Sequence, residues 1–253
     1  MIDHIVIVSA IRTPLGGFQG SLKDMPAPRL GAHAIKACIA AAGLSPDAVE
    51  EVLMGCVLSA GLGQAPARQA ALHAGLPQSA ACTTISKVCG SGLKAVTLAH
   101  DALVAASASI IVAGGMESMS GAPHLLPRSR EGVRLGNTAL QDHMLIDGLQ
   151  DAYEPGKTMG IFAENCASEM GFSRERQDTF ALTSLTRAQT ATADGTFARE
   201  IAPIIMEGKK APLHIDKDEQ PLRARPEKIP TLSPAFLPGG TITAANASSI
   251  SDG

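Results

Sequence analysis

Tryptophan is absent from this chain, and aromatic residues make up only 3% of it. Proteins that hold single-stranded nucleic acid stack bases on aromatic rings, and those that hold duplexes present a net basic surface. With a formal charge of -3 the chain offers neither, so a nucleic-acid partner is not expected. No apolar run approaches the roughly 20 residues of a membrane span, so no membrane partner is expected either. The N-terminus, Met-Ile-Asp-His-Ile-Val-Ile-Val, carries Asp where a signal peptide is basic, and no small-residue cleavage site follows. The 5 cysteines are odd in number and include no Cys-x-x-Cys pair, which argues against a disulfide framework and against zinc. The 7 histidines are scattered, none at ligand spacing from a Cys or carboxylate, so no metal site is expected. A reducing, cytoplasmic compartment fits this composition best.

What is present begins with length. A chain of 253 residues can bury a sizeable core as one large or two smaller domains. His4–Ser9 is an apolar run of strand length, broken by Pro14 and the pair Gly16-Gly17. Ala27–Ala42 has helical periodicity and stops at Gly43, a suitable C-cap. A short acidic helical turn is expected at Asp47–Glu51 and a strand at Val52–Ser59. A glycine turn then enters a helix with Pro66 near its start. Ala108–Gly115 reads as a strand buried on both faces. Apolar strands alternating with helices predict an α/β domain with a mainly parallel sheet and helices on both faces.

The texture changes just after Met119. Up to Leu125 there are 7 basic and 7 acidic residues, against 14 and 17 beyond it, so the later half is about twice as charged. It is also rich in Pro and Gly and has one convincing long helix, Ser173–Ala193, with Ser173 as N-cap. A looser, exposed region such as a cap or lid is predicted there. Residues 209–228 carry mixed charge, which reads either as a solvated face or as a basic rim for a phosphorylated ligand.

Cys82–Ala106 is the stretch on which the chemistry turns. A Thr- and Ile-rich run of strand character ends in Cys89-Gly90-Ser91-Gly92, and Leu93–Ala106 follows as a nearly all-apolar segment that predicts a buried helix. Cys89 would then sit at a helix start, where unpaired N–H groups and the helix dipole favour an anion, and the thiolate is the nucleophilic form. The plain alternative is a small buried thiol beside glycines needed for packing. Gly90-Ser-Gly-Leu-Lys-Ala95 also fits a dinucleotide fingerprint, but Ser107–Val112 lacks the acidic ribose partner. Lys94 has the wrong spacing for a phosphate loop.

Five stretches in order resemble the N-terminal portion of the thiolase family, most closely its acetyl-CoA acetyltransferase branch. They are Val8–Pro14, Gly63–Ala71, Lys87-Val-Cys-Gly-Ser-Gly-Leu-Lys-Ala95, Ala113-Gly-Gly-Met-Glu-Ser-Met-Ser120 and Asn246-Ala-Ser-Ser-Ile-Ser-Asp-Gly253. The resemblance implies residues 1–118 as an N-terminal core domain, 119–249 as an inserted CoA-binding loop domain, and 250–253 returning to an incomplete core. It implies Cys89 as the nucleophile that is acylated by an acyl-CoA, with its backbone N–H in an oxyanion hole. Leu149, Met159, Ala244 and Ser248 would line the pantetheine, and Arg223 or else Arg225 the nucleotide end of CoA. The implied reaction condenses two acetyl-CoA into acetoacetyl-CoA, or runs in reverse, by a ping-pong route. CoA thioesters are substrates and no cofactor is needed; the implied assembly is a homodimer or homotetramer. The sequence departs from the family pattern at Lys157-Thr158 and at Lys228. The family's catalytic His and second Cys lie in a C-terminal domain absent from these residues, so the chain alone is expected to be inactive. The alternatives are a longer-chain 3-ketoacyl-CoA thiolase and a non-catalytic CoA-binding fragment.

Overall fold

The computed structural model describes residues 5–207 and 211–253. In chain order the elements are β1 (Gly16–Gly17), α1 (Ala27–Ala42), β2 (Glu51–Gly55), α2 (Pro66–Ala74), β3 (Ala81–Ile85), α3 (Ser91–Val104) and β4 (Ile111–Gly115). There follow β5 (His124–Leu125), β6 (Gln141–Asp142), α4 (Met159–Glu169), α5 (Arg174–Ala193), β7 (Ile204–Met206), β8 (Leu213–Ile215), α6 (Glu219–Arg223) and β9 (Ser251–Asp252). The chain divides into two compact units, one of residues 1–121, 197–219 and 251–253, the other of 122–196 and 220–250.

The first unit is built on a parallel sheet of order β3-β2-β4. β2 is central and its side chains alternate between two helical layers, as the period of a strand requires. Val52 and Met54 pack with Ile35 and Ile39 of α1 and Ala67, Ala70 and Ala71 of α2. Leu53 points to the other face and packs with Ala95 and Ala99 of α3. This is the expected α/β arrangement with helices on both faces. A third cluster, Leu22, Leu30, Ile204 and Ile215, brings the β7–β8 hairpin into this unit. Arg12 fastens the same segment: it pairs with Glu200 at 2.6 Å and with Asp218 at 2.7 Å.

Several local expectations are corrected. Of the predicted strand His4–Ser9, His4 lies outside the described residues, and Ile5–Ser9 form no strand. Val6, Ile7 and Val8 are 67–80% exposed, because no neighbouring strand among the described residues takes up their backbone bonds. β2 ends at Gly55, not Ser59: Cys56 N still donates to Ile85 O at 3.0 Å, but beyond it the N–H groups turn to a side chain, Glu117 accepting from Val57 N at 2.8 Å and Leu58 N at 3.1 Å. The acidic turn is a 3-10 turn at Pro46–Ala48. β4 lies at a sheet edge and its residues are only half-buried apart from exposed Gly115. Nor is α3 buried all round. Ala95 and Ala99 face the sheet, while Leu93 is 73% exposed on the other side.

The second unit is helical. α5 begins at the predicted cap, with Ser173 Oγ accepting from Arg176 N at 3.2 Å. α4 was not predicted, since Thr158 ahead of it makes no side-chain cap bond and its apolar periodicity is weak. Its buried Glu164 carboxylate accepts the N–H groups of Thr241 (2.8 Å) and Ile242 (2.8 Å). Of the charged stretch 209–228, Lys209 and Lys210 lie outside the described residues.

Candidate functional site

The turn that carries Cys89 runs from the end of β3 to the start of α3. Gly90 N donates to Lys87 O (3.1 Å) and Ser91 N to Val88 O (3.1 Å), so the chain reverses sharply and enters the helix at once. Val88 pays for that reversal: it sits at φ 48°, a left-handed backbone costing a β-branched residue roughly 1–2 kcal/mol. Strain of this kind persists only where the surroundings enforce it. Ser91, which is 4% exposed, hydrogen-bonds on both sides of Val88. Its Oγ accepts from Lys87 N at 2.7 Å and donates to Val88 O at 2.6 Å. Beneath it the helix start presses on the C-terminal end of β2. A Cβ on Gly55 would stand 2.7 Å from Ser91 Cβ and 2.8 Å from Gly92 N.

The outcome is a thiol on the outside of a rigid corner. Cys89 is exposed, and all five cysteines are free. Among the described residues no His, Asp or Glu hydrogen-bonds to its sulfur. Cys56, by contrast, is buried near the Glu117 carboxylate, and burial and then that charge push its thiol up to about 12. A thiol so raised stays protonated, which keeps Cys56 inert.

The second unit holds a groove of about 690 Å³. One wall is α5 (Phe180, Ala181, Leu185, Ala188), and another is the segment Ala244–Ser249. Arg223, Arg225 and Lys228 also line it, with no Asp or Glu among the lining residues. Three cations beside an apolar wall make a place for a ligand with an anionic head and an uncharged stem. The Ala244–Ser249 wall is held from behind. Asn246 Nδ2 donates to the buried Asp178 (3.0 Å) and to Thr241 O (3.1 Å), and its Oδ1 accepts from Thr243 N (2.7 Å). Arg174 completes the hub, donating to Asp178 at 2.6 Å and to Leu232 O at 2.9 Å.

The structure therefore brings Arg223, Ala244 and Ser248 together on one groove, with Arg225 beside them. Leu149 and Met159 do not line it. They flank the bridged pair Gln150–Thr158, Leu149 closing a π-helical turn and Met159 opening α4. Sequence reasoning missed Ser91, Glu117, Asp178, Asn246 and Phe180. Only Phe180 left a usable signal, as the one aromatic residue of α5. No cluster of His, Cys, Asp or Glu suited to a metal ion occurs among the described residues.

Comparison with known proteins gives this geometry a family. The model of the thiolase N-terminal domain matches residues 5–253. The acetyl-CoA acetyltransferase of Cupriavidus necator is 51% identical over 251 residues, 98% of this chain and 64% of that protein. The protein of that name from Chromobacterium violaceum is 50% identical over 252 residues, covering 99% and 64%. Its namesake in Schizosaccharomyces pombe is 47% identical over 253 residues, with coverage of 99% and 64%. The chain thus spans about 64% of the length of these relatives. A family match along nearly the whole chain, around an exposed cysteine at a helix start, places the chain in the thiolase family, to whose N-terminal domain it corresponds.

Proposed function

We propose that this chain supplies the nucleophile and the CoA-binding groove of an acetyl-CoA C-acetyltransferase. The Cys89 thiolate attacks the thioester carbonyl of acetyl-CoA. The carbon–sulfur bond to CoA breaks, CoA leaves as the thiol after taking up a proton, and the acetyl group remains on Cys89. A second acetyl-CoA, deprotonated at its methyl carbon, then attacks the acyl-enzyme and carries the acetyl group away as acetoacetyl-CoA. The reverse course is thiolysis of a 3-ketoacyl-CoA. The N–H of Cys89 at the head of α3 serves the oxyanion of the tetrahedral intermediate. Arg223, with Arg225, takes the phosphates of CoA, and Ala244 and Ser248 take the pantetheine. Leu149 and Met159 contact the pantetheine from their own segment. The division of labour proposed is a core domain over residues 1–118, a CoA-binding loop domain over 119–249 and a return to the core at 250–253. The enzyme works without a cofactor, as a homodimer or homotetramer in the cytoplasm.

One observation carries this reading: an exposed cysteine directly after the left-handed Val88, in a chain about half identical to proteins named acetyl-CoA acetyltransferase. Isotope exchange tests it. A ping-pong enzyme moves label from free CoA into acetyl-CoA with no second acetyl-CoA consumed. Exchange that occurs only together with acetoacetyl-CoA formation would rule out the acyl-enzyme.

A further inference from the structure

Ser91 opens α3, yet its hydroxyl does no capping for that helix. The N-cap is Gly90, and no side chain caps there. The Ser91 Oγ turns back instead and bonds both sides of the strained residue, the N–H of Lys87 (2.7 Å) and the carbonyl of Val88 (2.6 Å). We infer that Ser91 is a positioning residue for Cys89, its hydroxyl locking Val88 left-handed so that the thiol stands outward at the head of α3. The inference rests on the reading of Cys89 as the nucleophile.

Three observations converge on it. Val88 is held at φ 48°, where an isolated β-branched residue would not stay. Ser91 is wedged, since the ends of β2 and α3 approach so closely that a methyl group at Gly55 would overlap its Cβ. Ser91 is buried while Cys89, two residues earlier, is exposed, so the corner turns one side chain in and the other out. Without the hydroxyl, the Lys87 N–H and the Val88 carbonyl lose that partner and Val88 relaxes toward an ordinary backbone. The thiol direction and the Cys89 N–H then swing together, and nucleophilic attack depends steeply on such alignment.

Alkylation of the native chain by iodoacetamide, followed cysteine by cysteine in peptides, tests this. Cys166, exposed in the other unit, supplies a reference rate, and buried Cys56 reports whether the core stays closed. Ser91→Ala is expected to lower the Cys89:Cys166 rate ratio about tenfold, the equivalent of one well-formed hydrogen bond, with Cys56 still protected. In a Val88→Gly background the left-handed turn carries no Cβ penalty, and the same change is expected to cost less than about threefold. A merely structural Ser91 lowers the melting temperature and leaves the ratio where it was. An unchanged ratio overturns the inference, as does an equal loss in both backgrounds. If Ser91→Ala opens Cys56 to the reagent, Ser91→Cys, of similar volume and weaker hydrogen bonding, is measured with the same expectation. Failure of acetyl-CoA to acetylate Cys89 in the unsubstituted chain removes the nucleophile reading and the role of Ser91 with it. Acetylation with an unchanged alkylation ratio removes only the inference.

Discussion

Asp178 on α5 and Asn246, 68 positions later, meet at 3.0 Å and bind the long helix to the opposite wall of the cationic groove. The contact is half of a satisfied hub, because Arg174 occupies the other carboxylate oxygen.

Asn246→Ala removes a donor from a buried carboxylate and an acceptor from Thr243 N–H. It is expected to destabilise the second unit by about 2 kcal/mol and to weaken CoA binding in calorimetry. Asn246→Asp is expected to be worse at neutral pH, since it sets a second carboxylate beside Asp178. Its deficit relative to Asn246→Ala is expected to shrink on acidification, as one of the two takes up a proton.

Glu164 makes the stability of the same unit depend on pH. Burial raises its carboxyl, but the N–H groups of Thr241 and Ile242 and the Thr241 hydroxyl outweigh this and hold it below the ordinary range. A lowered carboxyl stabilises fully above its unfolded value of about 4.3 and loses that contribution as pH falls through the folded value. Urea denaturation is therefore expected to show Glu164→Gln less stable than the unsubstituted chain at pH 7 by about 1–2 kcal/mol. The gap is expected to close below about pH 4. A gap that stays constant from pH 7 to pH 3 would contradict the assignment.

The glycines around the Cys89 corner are expected to differ. A Cβ at Gly55 meets backbone and side chain at 2.7–2.8 Å, whereas one at Gly92 meets nothing nearer than 3.8 Å. Gly55→Ala is expected to cost about 3 kcal/mol by overpacking. Gly92→Ala, within a helix, is expected to stay within about 1 kcal/mol of neutral, and thermal melting of the two variants compares them.

Residues 1–253 alone are expected to show no sustained acetoacetyl-CoA thiolysis. No base among the described residues hydrogen-bonds to the Cys89 thiol, and loss of a paired base ordinarily costs several orders of magnitude in rate. A spectrophotometric assay of the purified chain checks this, and steady turnover would contradict it.

Local chemistry was legible in the sequence. α1 was bounded at Ala27–Ala42 because Gly43 takes a left-handed C-cap at φ 67°, and α5 because Ser173 supplies its cap. The thiol of Cys89 on a turn before a helix was legible for the same reason. Val88 was not, since a β-branched residue is one that local rules keep out of left-handed backbone. Nor were Arg12 with Asp218, Glu164 with Thr241, or Asp178 with Asn246, whose partners lie 206, 77 and 68 positions away. The apolar run at Ile5–Val8 shows the converse, since strand propensity does not make a strand without a neighbour to bond.

Everything proposed for this chain depends on Cys89 being the residue that is acylated. Its most direct test is peptide mass analysis after incubating the chain with acetyl-CoA, beside Cys89→Ala and with Cys166 as the exposed control. An acetyl group is expected on the Cys89 peptide, formed faster than on Cys166 and lost on treatment with free CoA. Acetylation no faster at Cys89 than at Cys166, or none at Cys89 at all, would contradict it.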